Sequence, residues 1–128
     1  MSDKEPRWEV GYALRKRVMG EEHVARAEAA TTAFDAPLQD LLTRHAWGDV
    51  WAREGLDAKT RSLVTVAMLV ALGKPTELAG HVRGALNNGA SPVELREVLL
   101  HAAVYCGVPA AAEAFRAAAK HVPLDGLG

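Results

Sequence analysis

Cysteine is almost missing from this chain. Cys106 is the single one in 128 residues, so one chain can form neither an intramolecular disulfide nor a two-thiol metal site. A reducing cytoplasm is the expected location. Long apolar runs are missing too: the longest, Leu63 to Leu72 with Thr65 inside it, falls well short of the roughly 20 residues that cross a bilayer, which excludes a membrane span. Neither sign of charge dominates. With 15 Lys+Arg against 16 Asp+Glu the net charge is −1, leaving no basic field to hold a phosphate backbone, so nucleic acid is not an expected partner. The opening MSDKEPRWEV mixes charges and a tryptophan where a secretory signal has an apolar stretch, and no export is predicted. Strand signals are scarce, because no segment alternates apolar and polar residues over several β-branched or aromatic positions.

What remains is helical and globular. Apolar residues make up 49% and charged residues 24%, and the length suits one core, so a single domain over residues 1–128 is expected, with flexible ends at 1–8 and 122–128. Glycine and proline punctuate the helices. The first runs from about Glu9 to Met19 and stops at Gly20 in a left-handed cap, and a second follows from Glu21 to Ala30. Asp35 and Pro37 open a third through Arg44, which Trp47 to Ala52 extends. KTRSLVTVAMLVAL, Lys59 to Leu72, is apolar nearly all round and reads as the core helix. Pro75 opens the next, Ser91-Pro-Val-Glu94 is a capping box that starts another, and Pro109 opens the last. The fold class is therefore an all-α, multi-helix bundle. So apolar a core helix in so small a chain asks for more cover than one subunit supplies, and a homo-oligomer is expected.

Few polar residues invite chemistry. Glu77 and His81 stand four apart in PTELAGH, one turn apart on one helix face. A carboxylate beside an imidazole suits proton transfer, but the same spacing describes an ordinary surface pair, and spacing alone does not decide between them. Two ligands without a second Glu-x-x-His element make a poor metal site, so no metal is expected. His23, His45, His101 and His121 are scattered. Trp47 and Trp51 lie at helical spacing, either as core or as a pocket wall, with Arg44 and Arg53 nearby as forks for a carboxylate. Arg15, Lys16 and Arg17 form the one basic cluster, read either as a solvated face or as ligand-facing arginines. Cys106 ends its helix, where the dipole opposes thiolate formation, and is expected to be packed and inert. Tyr105 either donates into a pocket or fills core.

Trp47-Gly48-Asp49-Val50-Trp51, Glu77-Leu78-Ala79-Gly80-His81, Ala85-Leu86-Asn87-Asn88-Gly89 and Tyr105-Cys106-Gly107-Val108-Pro109 together resemble the carboxymuconolactone decarboxylase family, over about Arg7 to Phe115. The resemblance implies an alkylhydroperoxidase D-like helical fold, a ring-like homo-oligomer of six subunits, and sites near subunit contacts. It further implies cytoplasmic, cofactor-free conversion of carboxymuconolactone to the enol-lactone of the β-ketoadipate pathway during protocatechuate breakdown. The substrate is its own electron sink, since the electrons left by carbon dioxide delocalise through the double bond onto the ring carbonyl. On that reading His81, oriented by Glu77, delivers a proton or stabilises the enolate. An arginine binds a carboxylate, Arg53 first, then Arg15, Arg17 and Arg44, while Trp47 excludes water. Two positions depart from the family pattern: His101 stands where Gln is expected and Ala112 where Asn is expected.

Redox members of this fold carry a Cys-x-x-Cys pair, because resolving a disulfide takes two thiols. Lys74-Pro-Thr-Glu77 stands there instead, which leaves only a single-thiol variant through Cys106. The other rival is a non-catalytic helical oligomer that binds a small carboxylic acid.

Overall fold

In a computed structural model, which describes residues 4–127, helix breaks fall at Gly20, Gly55, Gly73, Gly89 and Gly107, whereas the break at Thr31–Asp35 contains neither glycine nor proline. The elements are α1 (Lys4–Met19), α2 (Glu21–Ala30), α3 (Ala36–Leu41), a π-helical stretch (Leu42–Trp51), α4 (Ala58–Leu72), α5 (Pro75–Asn87), α6 (Pro92–Cys106) and α7 (Val108–Ala119). Among the described residues there is no strand, as the all-α expectation requires. Helix α1 begins at Lys4 rather than Glu9, inside the segment read as a flexible end; of the two ends, residues 1–3 and 128 lie outside the described residues. The chain gathers into two compact units, Met1–Asp57 and Ala58–Gly128.

Gly20 joins α1 to α2 with φ 96° and ψ 145°. This is not the left-handed cap expected from the sequence but an extended, positive-φ conformation open essentially to glycine alone, and it turns the chain with no intervening loop. Gly107 does the same between α6 and α7, at φ 100° and ψ 147°.

In the first unit, α1 rests on the π-helical stretch with backbone against backbone. A Cβ on Gly11 would run into the Thr43 carbonyl oxygen and come within 2.8 Å of the Gly48 nitrogen, and one on Gly48 would lie 2.6 Å from the Arg7 oxygen. Only glycine at both positions permits this approach. The wider winding shows in the Ala52 N–H, which donates to the Trp47 oxygen five residues back at 3.2 Å. Val18, Met19 and Trp47 form the buried cluster here, with Leu14, Leu42 and Trp51 against them. The Trp47 and Trp51 rings stack at 4.5 Å. Asp35 does not bond the first turn of α3 as the expected cap. Its Oδ1 accepts from the Thr32 N–H at 2.8 Å, closing the preceding turn instead.

The second unit holds the main core. Val66 and Val70 of α4 meet Leu78, Val82 and Ala85 of α5, Leu95, Leu99 and Ala102 of α6, and Ala114 and Ala118 of α7. Ser62 is fully buried on the α4 stripe and accepts from Asn88 Nδ2 at 2.9 Å, which satisfies the hydroxyl inside the core. The capping box forms as read from the sequence: Glu94 N–H donates to Ser91 Oγ at 3.0 Å and Ser91 N–H to Glu94 Oε1 at 2.9 Å. Lys59 Nζ adds a bond to Glu94 Oε2 at 3.0 Å. These contacts hold the Glu94 carboxyl below its ordinary range, the Ser91 backbone bond first and Lys59 next. Among the described residues α4 is buried along one stripe, Ser62, Val66 and Val70. Val64, Met68 and Leu72, at the same four-residue spacing as the buried stripe, are exposed, the last two by 58% and 67%.

Candidate active site

Helix α5 starts at Pro75, whose fixed φ suits the first turn, and sets Leu78, Val82 and Ala85 into the core. That register fixes the rest of the helix. Glu77 falls in the exposed first turn, while His81, one turn on, is half-buried with its Nδ1 shielded from solvent. The imidazole thus sits at the border between core and surface, where an acid–base group both reaches a substrate and is kept from bulk water.

The remaining sequence candidates in this unit lie outward. Tyr105 is 78% exposed, with His101 tilted over it at 5.1 Å between ring centres. Cys106 ends α6 and is exposed, not packed as expected, because it lies one turn beyond Ala102, the last buried position of that helix. Ala112 is half-buried on α7. His121 lies 3.4 Å from Arg83, and burial first, then the charges of Arg83 and Lys120, pulls its pKa below the ordinary histidine range.

The four arginine candidates all lie in the first unit, in very different settings. Arg53 and Arg17 are exposed, and Arg44 is half-buried with its Nε on Asp40 Oδ1 at 3.1 Å. Arg15 is 8% exposed, the one charged side chain among the buried residues. It lines a cavity of about 310 Å³ with Trp8, Tyr12, Glu28, Asp40 and Thr43. Trp8 stacks on Tyr12 with ring centres 4.7 Å apart, and the Tyr12 hydroxyl donates to Glu28 Oε2 at 2.9 Å. Trp47, taken from the sequence as a possible pocket wall, packs in the hydrophobic cluster with Val18 and Met19. Sequence reasoning overlooked Trp8 and Tyr12, although positions 8, 12 and 15 carry the spacing of one helix face. Among the described residues no three of His, Cys, Asp and Glu gather as a metal site.

Against known proteins, residues 36–120 match the carboxymuconolactone decarboxylase family. The chain belongs to that family. The nitrosuccinic acid decarboxylase of Metarhizium robertsii is 49% identical over 104 residues, covering 81% of this chain and 73% of that protein. The 4-carboxymuconolactone decarboxylase of Acinetobacter baylyi is 45% identical over 106 residues, 83% of this chain and 79% of that protein. A 4-carboxymuconolactone decarboxylase of Pseudomonas putida matches 47 residues at 36% identity. Within this carboxymuconolactone decarboxylase family member, Glu77 and His81 fall inside the matched span, whereas Trp8, Tyr12, Arg15 and Glu28 precede it.

Proposed function

We propose that this chain, a decarboxylase of the family, acts on 4-carboxymuconolactone without a cofactor and yields the enol-lactone of β-ketoadipate. The likeness to the Acinetobacter enzyme over most of both chains carries the reading. In this scheme the carboxylate leaves the γ-carbon of the unsaturated lactone, the electron pair spreads onto the ring carbonyl as a dienolate, and one proton returns to carbon. His81 delivers that proton or holds the enolate oxygen, oriented by Glu77 one turn away. The half-buried position of His81 supports that role.

The Metarhizium relative favours a second reading, in which the substrate is nitrosuccinic acid. Its carboxyl sits on the nitro-bearing carbon, so carbon dioxide loss leaves a nitronate, again an anion delocalised by the substrate itself. Both readings ask the same of the protein: hold a carboxylate, exclude water, and supply one proton.

A cytoplasmic homo-oligomer, a hexamer on the family resemblance, belongs to the proposal. The exposed apolar stripe of Val64, Met68 and Leu72 supports self-association, since soluble monomers seldom leave such a face open. No helix among the described residues is long and apolar enough to cross a membrane.

The test supplies purified protein with freshly generated 4-carboxymuconolactone, and separately with nitrosuccinate, in the presence of chelator and without added cofactor. Turnover of the lactone is expected, and His81→Gln is expected to lower kcat by about 100-fold or more, the scale of a proton-transfer group. Folded protein that turns over neither acid refutes the decarboxylase reading, and undiminished His81→Gln turnover refutes the role of the imidazole. Nitrosuccinate turnover alone moves the substrate to the second reading.

A further inference from the structure

The cavity beside Arg15 takes no part in the proton chemistry at His81 described above. We infer that it is a binding pocket for a small, flat, unsaturated monocarboxylate, whose carboxylate pairs with Arg15 and whose body lies against the Trp8 ring.

The case begins with charge. Arg15 is more than nine-tenths buried, yet among the described residues it makes no hydrogen bond or ion pair. Burial of the side chain costs the cation part of its hydration, which no hydrogen bond replaces, while its nitrogens stay open to the cavity. Burial accordingly pulls its pKa below the ordinary arginine range, with Glu28 and then Tyr12 opposing from beyond ion-pair distance, and the group stays cationic at neutral pH.

Three other polar side chains of the lining are already engaged. Glu28 accepts from the Tyr12 hydroxyl at 2.9 Å, Asp40 from Arg44 at 3.1 Å, and the Thr43 hydroxyl donates to the Gln39 carbonyl oxygen at 2.7 Å. Arg15 is the one cation in the wall, and its planar fork matches a carboxylate with two parallel N–H donors.

The same wall limits the ligand. A second carboxylate would face Glu28 or Asp40, so the pocket favours a single negative charge. Trp8 stacks nearly parallel on Tyr12, 15° apart, and Lys16 Nζ lies 4.5 Å from the centre of the Tyr12 ring, which leaves the outer face of Trp8 as the flat apolar surface to which a conjugated body conforms better than a puckered chain. At about 310 Å³ the cavity is at the small end of ligand pockets, which excludes nucleotides and other large cofactors. The inference concerns Met1–Asp57 alone and does not depend on the decarboxylase reading.

Sorbate, a planar six-carbon dienoate, is the probe, titrated into the full chain and followed by tryptophan emission and by calorimetry. Saturable binding is expected, with hexanoate weaker and the uncharged dienol weaker by at least tenfold. Arg15→Gln should weaken sorbate at least tenfold while helix content by circular dichroism holds. Arg15→Lys, which keeps the charge and loses the fork, should fall between and serves if the glutamine variant does not fold. Trp8→Phe should abolish most of the emission response and weaken calorimetric binding several-fold. The inference is overturned by folded wild-type protein that shows no saturable sorbate binding. It is equally overturned by arginine variants that bind like wild type, by a dienol or hexanoate that binds as tightly as sorbate, or by a full emission response in Trp8→Phe.

Discussion

Replacing Gly11 by alanine sets two effects of opposite sign against each other, and the structure says which one wins. In an exposed helix interior alanine is better than glycine by about 1 kcal/mol. Here the new methyl group is aimed at the Thr43 carbonyl oxygen and comes within 2.8 Å of the Gly48 nitrogen, both backbone atoms that cannot rotate aside. Helix α1 must therefore move off the π-helical stretch, which loosens the contacts of Val18 and Met19 with Trp47. Overpacking of this kind costs about 1–3 kcal/mol, and rigid neighbours put it at the upper end, so unit Met1–Asp57 should lose about 2 kcal/mol net. The assay is direct, because all three tryptophans, Trp8, Trp47 and Trp51, belong to this unit. Their fluorescence follows its unfolding, while far-ultraviolet circular dichroism follows every helix. With a urea slope of about 1–3 kcal/mol per molar, the fluorescence midpoint should drop by roughly 1 M. A midpoint that stays or rises would mean that helix propensity dominates and that the two backbones are not in contact at Gly11.

Three further outcomes follow from the second unit. Ser91→Ala removes the side-chain half of the capping box and should lower stability by about 1 kcal/mol in a thermal melt followed by circular dichroism. Leu78→Ala empties a fully buried position of the core and should destabilise by about 2–5 kcal/mol in urea titrations, whereas a loss under 1 kcal/mol would contradict the burial. The lowered pKa of Glu94 gives its carboxylate a stabilising part that is complete above the unfolded carboxyl value of about 4.3 and disappears as pH falls through the folded value; Glu94→Gln should flatten that stretch of the acid titration of Tm.

Helices were legible because their punctuation is chemical. Ser91-Pro-Val-Glu94 announces a start through two reciprocal hydrogen bonds that need no tertiary structure, and the structure forms both. Leu78, Val82 and Ala85 were legible as a packing face for a similar reason, since helical periodicity alone lines them up. The π-helical winding of Leu42–Trp51 was not. It depends on how α1 presses on that stretch at Gly11 and Gly48, a contact between residues far apart in sequence. The differing burial of the arginines was hidden for the same cause. Arg53 stands beside the tryptophans in sequence yet is exposed, whereas Arg15 looks like part of a solvated basic cluster until α1 is laid down. Cys106 and Tyr105 show the converse: being apolar or weakly polar near a helix end did not bury them, because the turn they occupy leaves the core stripe.

Helix α4 carries this argument furthest. Its inner stripe, Ser62, Val66 and Val70, and its outer stripe, Val64, Met68 and Leu72, have the same four-residue period, and nothing in the pattern separates them. The apolar character all round is a demand for cover on two sides, and among the described residues the helix is buried along one stripe. Hydrophobic burial does not distinguish cover supplied by the same chain from cover supplied by another, so the sequence states how much surface must leave water but not whose surface does the covering. The placement of Tyr105, Val104 and Val108 in the open follows the same logic, since these residues at the end of α6 and the start of α7 are apolar and yet more exposed than most of the charged arginines. A second copy would meet that demand with surfaces the protein already has, which is why the self-association proposed for this chain rests on α4 rather than on any polar motif.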